Sequence, residues 1–250
     1  MVWSELQAMG YVTHKMESRY DEVKLRAIQT FWTDWGPKAG FFSAKDNDRI
    51  LDRHLFESLV CMDAGYKAYE HWTRNYVSRE TECLDLGSGP GIPGLVAIAH
   101  QTKRPKVTLQ DSSRRRLSIV EDHFPYADEL SFVYRRAEEN QAVYALVFSR
   151  AFVPFPGVLE LATCSVMPGG LFIIITGKVP ALLGHTDPHR KRLQAYIKRT
   201  GFVSREIIPL PALQALGARH LLIFQKNGLP APGYPRTWKR IKESSQQWVE

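Results

Sequence analysis

The stretch Cys83-Leu84-Asp85-Leu86-Gly87-Ser88-Gly89-Pro90-Gly91-Ile92-Pro93-Gly94 constrains this chain more than any other. A short apolar run carries one acid, passes through four glycines, and enters a second apolar segment. Residues 81–86 read as a buried strand and residues 92–101 as a helix. Glycines between them allow positive φ and close approach of backbone to a ligand. Pro93 suits the first turn of the helix, where a missing N–H costs nothing. The expectation is a strand–glycine loop–helix nucleotide site, with helix-end N–H donors facing the ligand.

Gly89 to Gly94 satisfies the dinucleotide fingerprint G-x-G-x-x-G, which several nucleotide-like ligands share and a tight surface turn can mimic. The fuller pattern is Asp-x-Gly-x-Gly-x-Gly, with Asp85 at the mouth of the strand. That carboxylate repels a pyrophosphate and attracts the ammonium of a methionine moiety, which favours S-adenosylmethionine over NAD. The next strand, residues 106–110, runs into Asp111-Ser112. Its offset from Gly87 is close to the roughly 20 residues expected for an acid accepting hydrogen bonds from an adenosyl ribose.

A chain of 250 residues buries a full core, and one α/β domain with an extension is the natural organisation. With 44% hydrophobic and 24% charged residues, large-scale disorder is not expected. The longest apolar candidate, residues 171–176, is far short of a membrane span, and the N-terminus lacks a signal-peptide core. The expectation is a cytoplasmic protein with no membrane partner. Cys61, Cys83 and Cys164 are too widely spaced for a paired disulfide framework or a metal motif, so no metal is expected. The net charge is +7, and basic residues cluster at 114–116, 135–136, 189–192, 198–199 and 236–242. Singly these are solvated helix ends; together they suggest a surface for phosphates.

Along residues 1–79, apolar residues from Leu6 to Trp32 recur at helical spacing, giving two helices or one interrupted, with Gly36-Pro37 as the break. Trp32, Trp35, Phe41 and Phe42 read as core between this helical extension and the main domain, with base stacking as the alternative. After Asp46 a further amphipathic helix carries Arg53 and His54. His54 is either a core histidine or part of a polar face at the cofactor mouth.

From residue 80 to 226 strands alternate with helices, the signature of a parallel sheet. Strands are expected at 81–86, 106–110, 130–134, 143–148, 170–176, 201–208 and 219–225, and helices at 92–101, 113–124, 156–166 and 189–200. The last two strands are consecutive, which matches a doubly wound, mostly parallel seven-stranded sheet of the methyltransferase type, its final strand antiparallel beside the fifth. Residues 227–250 read as an appended basic tail.

Ligands of open α/β sheets sit beyond the carboxyl ends of the strands. That rule selects Gly87 to Ile92, Asp111-Ser112, Arg136-Ala137-Glu138, Ser149-Arg150-Ala151-Phe152 and Thr176-Gly177-Lys178. Glu138 is placed to accept from an adenine amino group, or is a solvated loop acid. Arg150 is placed to meet a carboxylate.

The acceptor decides which further residues methyl transfer needs. Pyrimidine carbon-5 needs a cysteine nucleophile, and no cysteine follows a strand end in a Pro-Cys context. Exocyclic amines usually meet an Asn/Asp-Pro-Pro-aromatic loop, where this chain has Ser149-Arg150-Ala151-Phe152. Guanine N7 carries an in-plane lone pair, so positioning alone can suffice. No catalytic acid or base is assigned, and Arg150 and Phe152 are the candidates for positioning, Phe152 by stacking on the base.

These motifs make the chain resemble the glucose-inhibited division protein B family, the bacterial 16S ribosomal RNA (guanine-N7)-methyltransferases. The resemblance runs from about Trp35 to Lys226. It rests on Arg53-His54-x-x-x-Ser58, the glycine loop, Leu109-Gln110-Asp111-Ser112, Arg136-Ala137-Glu138, Ser149-Arg150-Ala151, Pro168-Gly169-Gly170, Arg219-His220-Leu221 and Tyr234-Pro235-Arg236. It implies a class I S-adenosylmethionine-dependent methyltransferase fold, Rossmann-like, with an N-terminal helical extension. Cofactor-binding residues are expected at Asp85, Gly87, Gly89, Gly91, Ile92, Asp111, Ser112, Ala137, Glu138 and Arg150. RNA-binding residues are expected at Arg53, His54, Arg115, Arg116, Lys178, Arg236, Lys239 and Arg240. The implied partner is small-subunit ribosomal RNA or the 30S subunit, bound by a monomer, with no DNA.

The family's Asn-Leu-Thr stretch is Gly40-Phe41-Phe42 here, its lysine after the second strand is Arg115, and its Lys-Gly after the fifth strand is Thr176-Gly177, with Lys178 beyond the glycine. The competing readings are a methyltransferase of another RNA or small-molecule acceptor, a noncatalytic protein that binds S-adenosylmethionine and ribosomal RNA, and an NAD oxidoreductase.

Overall fold

The computed structural model describes residues 1–125, 127–150, 152–177 and 188–246. Its centre is a seven-stranded sheet of β1 (Glu82–Leu86), β2 (Lys106–Gln110), β3 (Leu130–Val133), β4 (Tyr144–Arg150), β5 (Val166–Thr176), β6 (Phe202–Pro209) and β7 (His220–Lys226). The spatial order is β3-β2-β1-β4-β5-β7-β6, and only β7 runs antiparallel to its neighbours.

Alternation along each strand builds two cores. Cys83, Leu146, Phe148, Ile173 and Ile223 point into one, and Leu84, Leu86, Val147, Phe172 and Phe224 into the other. Continuous apolar runs are what a strand covered on both faces requires. The first core is closed by helices Glu22–Ala39, Glu57–Thr73 and Arg114–His123. The second is closed by helices Gly157–Ala162, Pro188–Arg199 and Trp238–Gln246, the last through fully buried Ile241. Among the described residues no helix is long and apolar enough to cross a membrane.

Three expectations need correction. Gly36-Pro37 does not break its helix, which continues to Ala39 and stops at Gly40, with φ of 63°. Pro37 lies in the last turn, where it forfeits one hydrogen bond, whereas a left-handed glycine ends the helix by satisfying a terminal carbonyl. The absent Cβ of Gly36 makes room for the Phe42 ring, which would lie 2.8 Å from it. The fifth strand starts earlier than expected, at Val166, because a shift in register between Tyr144 and Leu146 absorbs Pro168-Gly169-Gly170. The segment after the glycine loop is a short 3-10 helix, Gly94–Ala99, rather than a ten-residue α-helix.

The N-terminal segment is sewn to that short helix. Asp21 N–H donates to Ala99 O at 2.8 Å, Gln101 N–H to Arg19 O at 2.8 Å, and Lys24 Nζ to Ile98 O at 2.9 Å. Fully buried Trp32 donates its indole N–H to Pro90 O at 2.9 Å. The first helices therefore hold the glycine loop from behind.

Candidate active site

The glycine loop leaves the carboxyl end of β1 where the strand order reverses between β1 and β4. Gly87, Gly89 and Gly91 take φ of 74°, 54° and 86°. The donors of the loop are taken up within the fold. Gly87 and Ser88 N–H reach Gln110 O at 2.9 and 3.0 Å, and Gly91 and Ile92 N–H both reach Ser88 O at 2.9 Å. Gly89 N–H reaches Asp111 Oδ2 at 2.9 Å, and Gly94 N–H turns inward to Asp85 Oδ2 at 2.8 Å. The expectation of helix-end donors facing a ligand is thus corrected. A loop with these donors committed lacks the free N–H groups that hold a pyrophosphate. A ligand without phosphate needs none.

Two cavities adjoin the loop and share Gly87, Asp111 and Phe152. The first, of about 210 Å³, lies over the ends of β1, β2 and β3 and contains Gln110, Ser112, Arg135, Arg136, Ala137, Glu138 and Trp238. The second, of about 340 Å³, lies toward the N-terminal helices and contains Phe41, Phe42, Arg53, His54, Gly89, Ile92, Arg116 and Arg150. Gly87 lies directly under Phe152: a Cβ there would stand 2.3 Å from Cγ of the ring.

Eight of the ten expected cofactor residues line one cavity or both; Asp85 and Gly91 line neither. Asp85 is buried beneath the loop, and its Oδ1 has no hydrogen-bond partner among the described residues. Its part is corrected from direct contact to a buried fastener and a source of field. Gly91 instead packs on Leu95, whose Cβ would be 2.9 Å from an added Cβ. Asp111 accepts from Gly89 N–H and from Ser113 N–H at 2.7 Å, and Glu138 pairs with Arg136 at 2.7 Å. Each carboxylate has further lone pairs for a hydroxyl or an amino group.

Arg150 closes β4 and donates to Arg53 O at 3.0 Å and to Glu57 Oε2 at 2.8 Å, with His54 Nδ1 3.4 Å away. Glu57, only 2% exposed, also accepts from Arg219 Nε at 2.9 Å. Reading the sequence missed Glu57, although it shares a helical face with His54, three positions earlier. It missed Trp238 as well, since nothing local tells a tail from a wall.

The expected RNA-binding residues divide. Arg115, Arg116, Lys239 and Arg240 are exposed, and Arg53 is half-buried and paired with Asp46 at 2.9 Å. His54 is buried yet lines the second cavity, and burial, then the charge of Arg150, pulls it down to about 3. It is neutral at physiological pH and stacks on Phe42 at 4.0 Å. Arg236 is bound to fully buried Glu160 through Nε and Nη2 at 2.9 and 2.8 Å, so its charge is matched within the fold. Lys178 lies outside the described residues.

Residues 21–195 match the GidB family, described as rRNA small subunit methyltransferase G. The chain belongs to that family. The ribosomal RNA small subunit methyltransferase G of Leptospira biflexa serovar Patoc is 34% identical over 237 residues, covering 92% of this chain and 90% of that protein. That of Leptospira interrogans serovar Lai is 31% identical over 237 residues, covering 93% and 87%. That of Alkaliphilus oremlandii is 25% identical over 212 residues, covering 81% of each.

Family membership makes the protein an S-adenosylmethionine-dependent methyltransferase, and the site fits that cofactor. The loop needs no phosphate, and a buried carboxyl lies beneath it. When bound, the cofactor supplies an electrophilic sulfonium methyl group. Burial pushes Asp85 up to about 7 against the Gly94 N–H, with the charge of Asp111 adding and that of Arg150 opposing. A net cationic ligand above favours the ionised carboxyl, so by linkage binding favours deprotonation. Cofactor affinity is expected to be highest above pH 7 and to fall as pH drops through 7, a dependence that Asp85→Asn flattens. Calorimetric titration on both sides of neutrality checks it; equal slopes in the two proteins would remove Asp85 as the cause.

Proposed function

We propose that the protein transfers the methyl group of S-adenosylmethionine to N7 of a guanine in small-subunit ribosomal RNA, working as a cytoplasmic monomer on that RNA or the 30S subunit. The observation that carries this reading is the chemistry of the second cavity. Among the described residues its lining contains no cysteine, and its histidine is neutral and fixed. Arg150 can only donate, so His54 Nδ1 accepts and the ring proton sits on Nε2. Nε2 is buried and has no partner among the described residues, so His54 takes up no proton from a substrate in its resting place. Asp46 is paired with Arg53, and Asp111 holds the loop. A cavity without a free general base suits an acceptor that already presents a lone pair, and guanine N7 does.

Phe41, Phe42 and Phe152 supply aromatic faces for a base, and Arg150, held by Glu57, supplies charge without freedom to wander. The rate then comes from holding the lone pair in line with the methyl group. Gly87 and Ile92 position the cofactor's middle, and Asp111, Ala137 and Glu138 its adenosyl end. Arg116 in the lining of the second cavity, and the exposed Arg115, Lys239 and Arg240, present charge to RNA phosphates.

The test is transfer of label from methyl-tritiated S-adenosylmethionine to undermethylated small subunits, with protein-free ribosomal RNA and unrelated RNA beside them, followed by nucleoside analysis. Label in 7-methylguanosine is expected. Label in another nucleoside, or none despite cofactor binding, would overturn the assignment of acceptor. For the RNA surface, Lys239→Ala is expected to weaken RNA binding and to lower the slope of log affinity against log salt by about 1. Filter binding across a salt series measures this, and an unchanged slope would remove Lys239 from the interface.

A further inference from the structure

The chain after β7 is not a loose appendage. Glu160, in the buried helix Gly157–Ala162, accepts from the backbone N–H of Arg236 at 2.5 Å, from its guanidinium, and from Tyr196 Oη at 2.7 Å. Ile241, one turn into helix Trp238–Gln246, is fully buried in the second core. Packing of Ile241 and the ion pair alone would fix this helix. Neither requires what stands at its start, a tryptophan whose indole lines the first cavity.

That indole lies 6.3 Å from the Phe152 ring at an interplanar angle of 29°, and the Arg136 guanidinium sits 5.9 Å from its centroid. Phe152 in turn covers Gly87. Trp238, Phe152 and Arg136 therefore form a stacked outer side to the cavity, facing Gln110, Asp111 and Ala137 at the ends of the strands. A flat, extended π surface across from strand-end polar groups is what a purine ring requires, one face for stacking and an edge for hydrogen bonds.

We infer that Trp238 is a cofactor-binding residue, and that helix Trp238–Gln246 is the wall that holds the adenine of S-adenosylmethionine in its cavity. The inference rests on the reading of that cavity as the adenosyl site. It makes the C-terminal segment part of the cofactor site, bolted in place by Arg236 and Glu160. Lys239 and Arg240, exposed on the same helix, then put RNA-binding charge immediately outside the adenosyl site.

Trp238→Ala is expected to weaken binding of both S-adenosylmethionine and S-adenosylhomocysteine by about tenfold or more. Trp238→Phe keeps an aromatic face and is expected to stay within about threefold of the parent. Intrinsic fluorescence supplies a second readout, because cofactor should quench the parent protein and the Trp238 share of that quenching should vanish in Trp238→Phe. Parent affinity in Trp238→Ala, or undiminished quenching in Trp238→Phe, would overturn the inference. Should Trp238→Ala fail to fold, the fluorescence of Trp238→Phe decides alone. Failure of the parent protein to bind either ligand would count against the cofactor site as a whole, a result distinct from a loss confined to the variants.

Discussion

Gly87→Ala is expected to weaken S-adenosylmethionine binding by about 100-fold or more, through two separate costs. The first is backbone strain, since φ at this position is 74° and any L side chain is disfavoured there. The second is steric: the new methyl carbon would lie 2.3 Å from Phe152 Cγ and 2.4 Å from Cδ2, so the ring must leave. Moving Phe152 opens the boundary between the two cavities and removes the partner of Trp238. Gly89→Ala is the informative control. Its φ is 54°, but among the described residues no non-adjacent atom lies within 4 Å of the added carbon, so strain alone is expected, about tenfold. Calorimetric titration of the parent and both variants resolves the difference. Equal losses in the two variants would show that Phe152 plays no part, and parent affinity in Gly87→Ala would place the cofactor elsewhere.

The second large effect is on stability. Glu57 is 2% exposed and is shared by Arg150 and Arg219, whose side chains are each 14% exposed. Glu57→Gln leaves two guanidinium groups facing each other with their counter-charge gone. Breaking a buried ion pair from one side costs about 3–5 kcal/mol, because the surviving charge keeps its desolvation penalty without compensation. For a chain of this size each kcal/mol lowers Tm by about 2–4 °C, so a drop of about 6–20 °C is expected. Arg219→Met in the Glu57→Gln background should recover part of the loss by removing one of the stranded cations. Thermal unfolding by circular dichroism measures both. A Tm within about 2 °C of the parent would show that water already screens the cluster. Methyl transfer should fall with stability in Glu57→Gln, since Arg150 loses the partner that holds it over the second cavity.

These effects belong to different depths of the chain's information. Alternating strands and helices, and the two consecutive strands at the end, were readable because the apolar periodicity that marks them is local, as at residues 106–110, which form β2. The glycine loop was readable because positive φ at Gly87, Gly89 and Gly91 is a backbone demand that few residues meet. Gly36-Pro37 misled because helix breakers act by position, and in a last turn Pro37 costs little. The aromatic group at the N-terminus was read as core, with base stacking as the alternative: Trp32 is fully buried and braces Pro90, and Phe41 and Phe42 pack against the same core while also lining the second cavity.

By itself, then, the sequence determined the strands, the loop after β1, and the class of ligand that loop suits, since each follows from spacing within a few tens of residues, whereas the arrangement of the strands in the sheet was implied by the methyltransferase resemblance. Tertiary structure alone decided which way the donors of the loop point and where the charges are spent. Glu57 meets Arg150 and Arg219 across 93 and 162 positions, and Arg236 meets Glu160 across 76. No local pattern encodes such pairings, because burial of a charge depends on what the rest of the chain brings to it. The same is true of Trp238, which composition assigns to a basic tail and packing places in the lining of the first cavity.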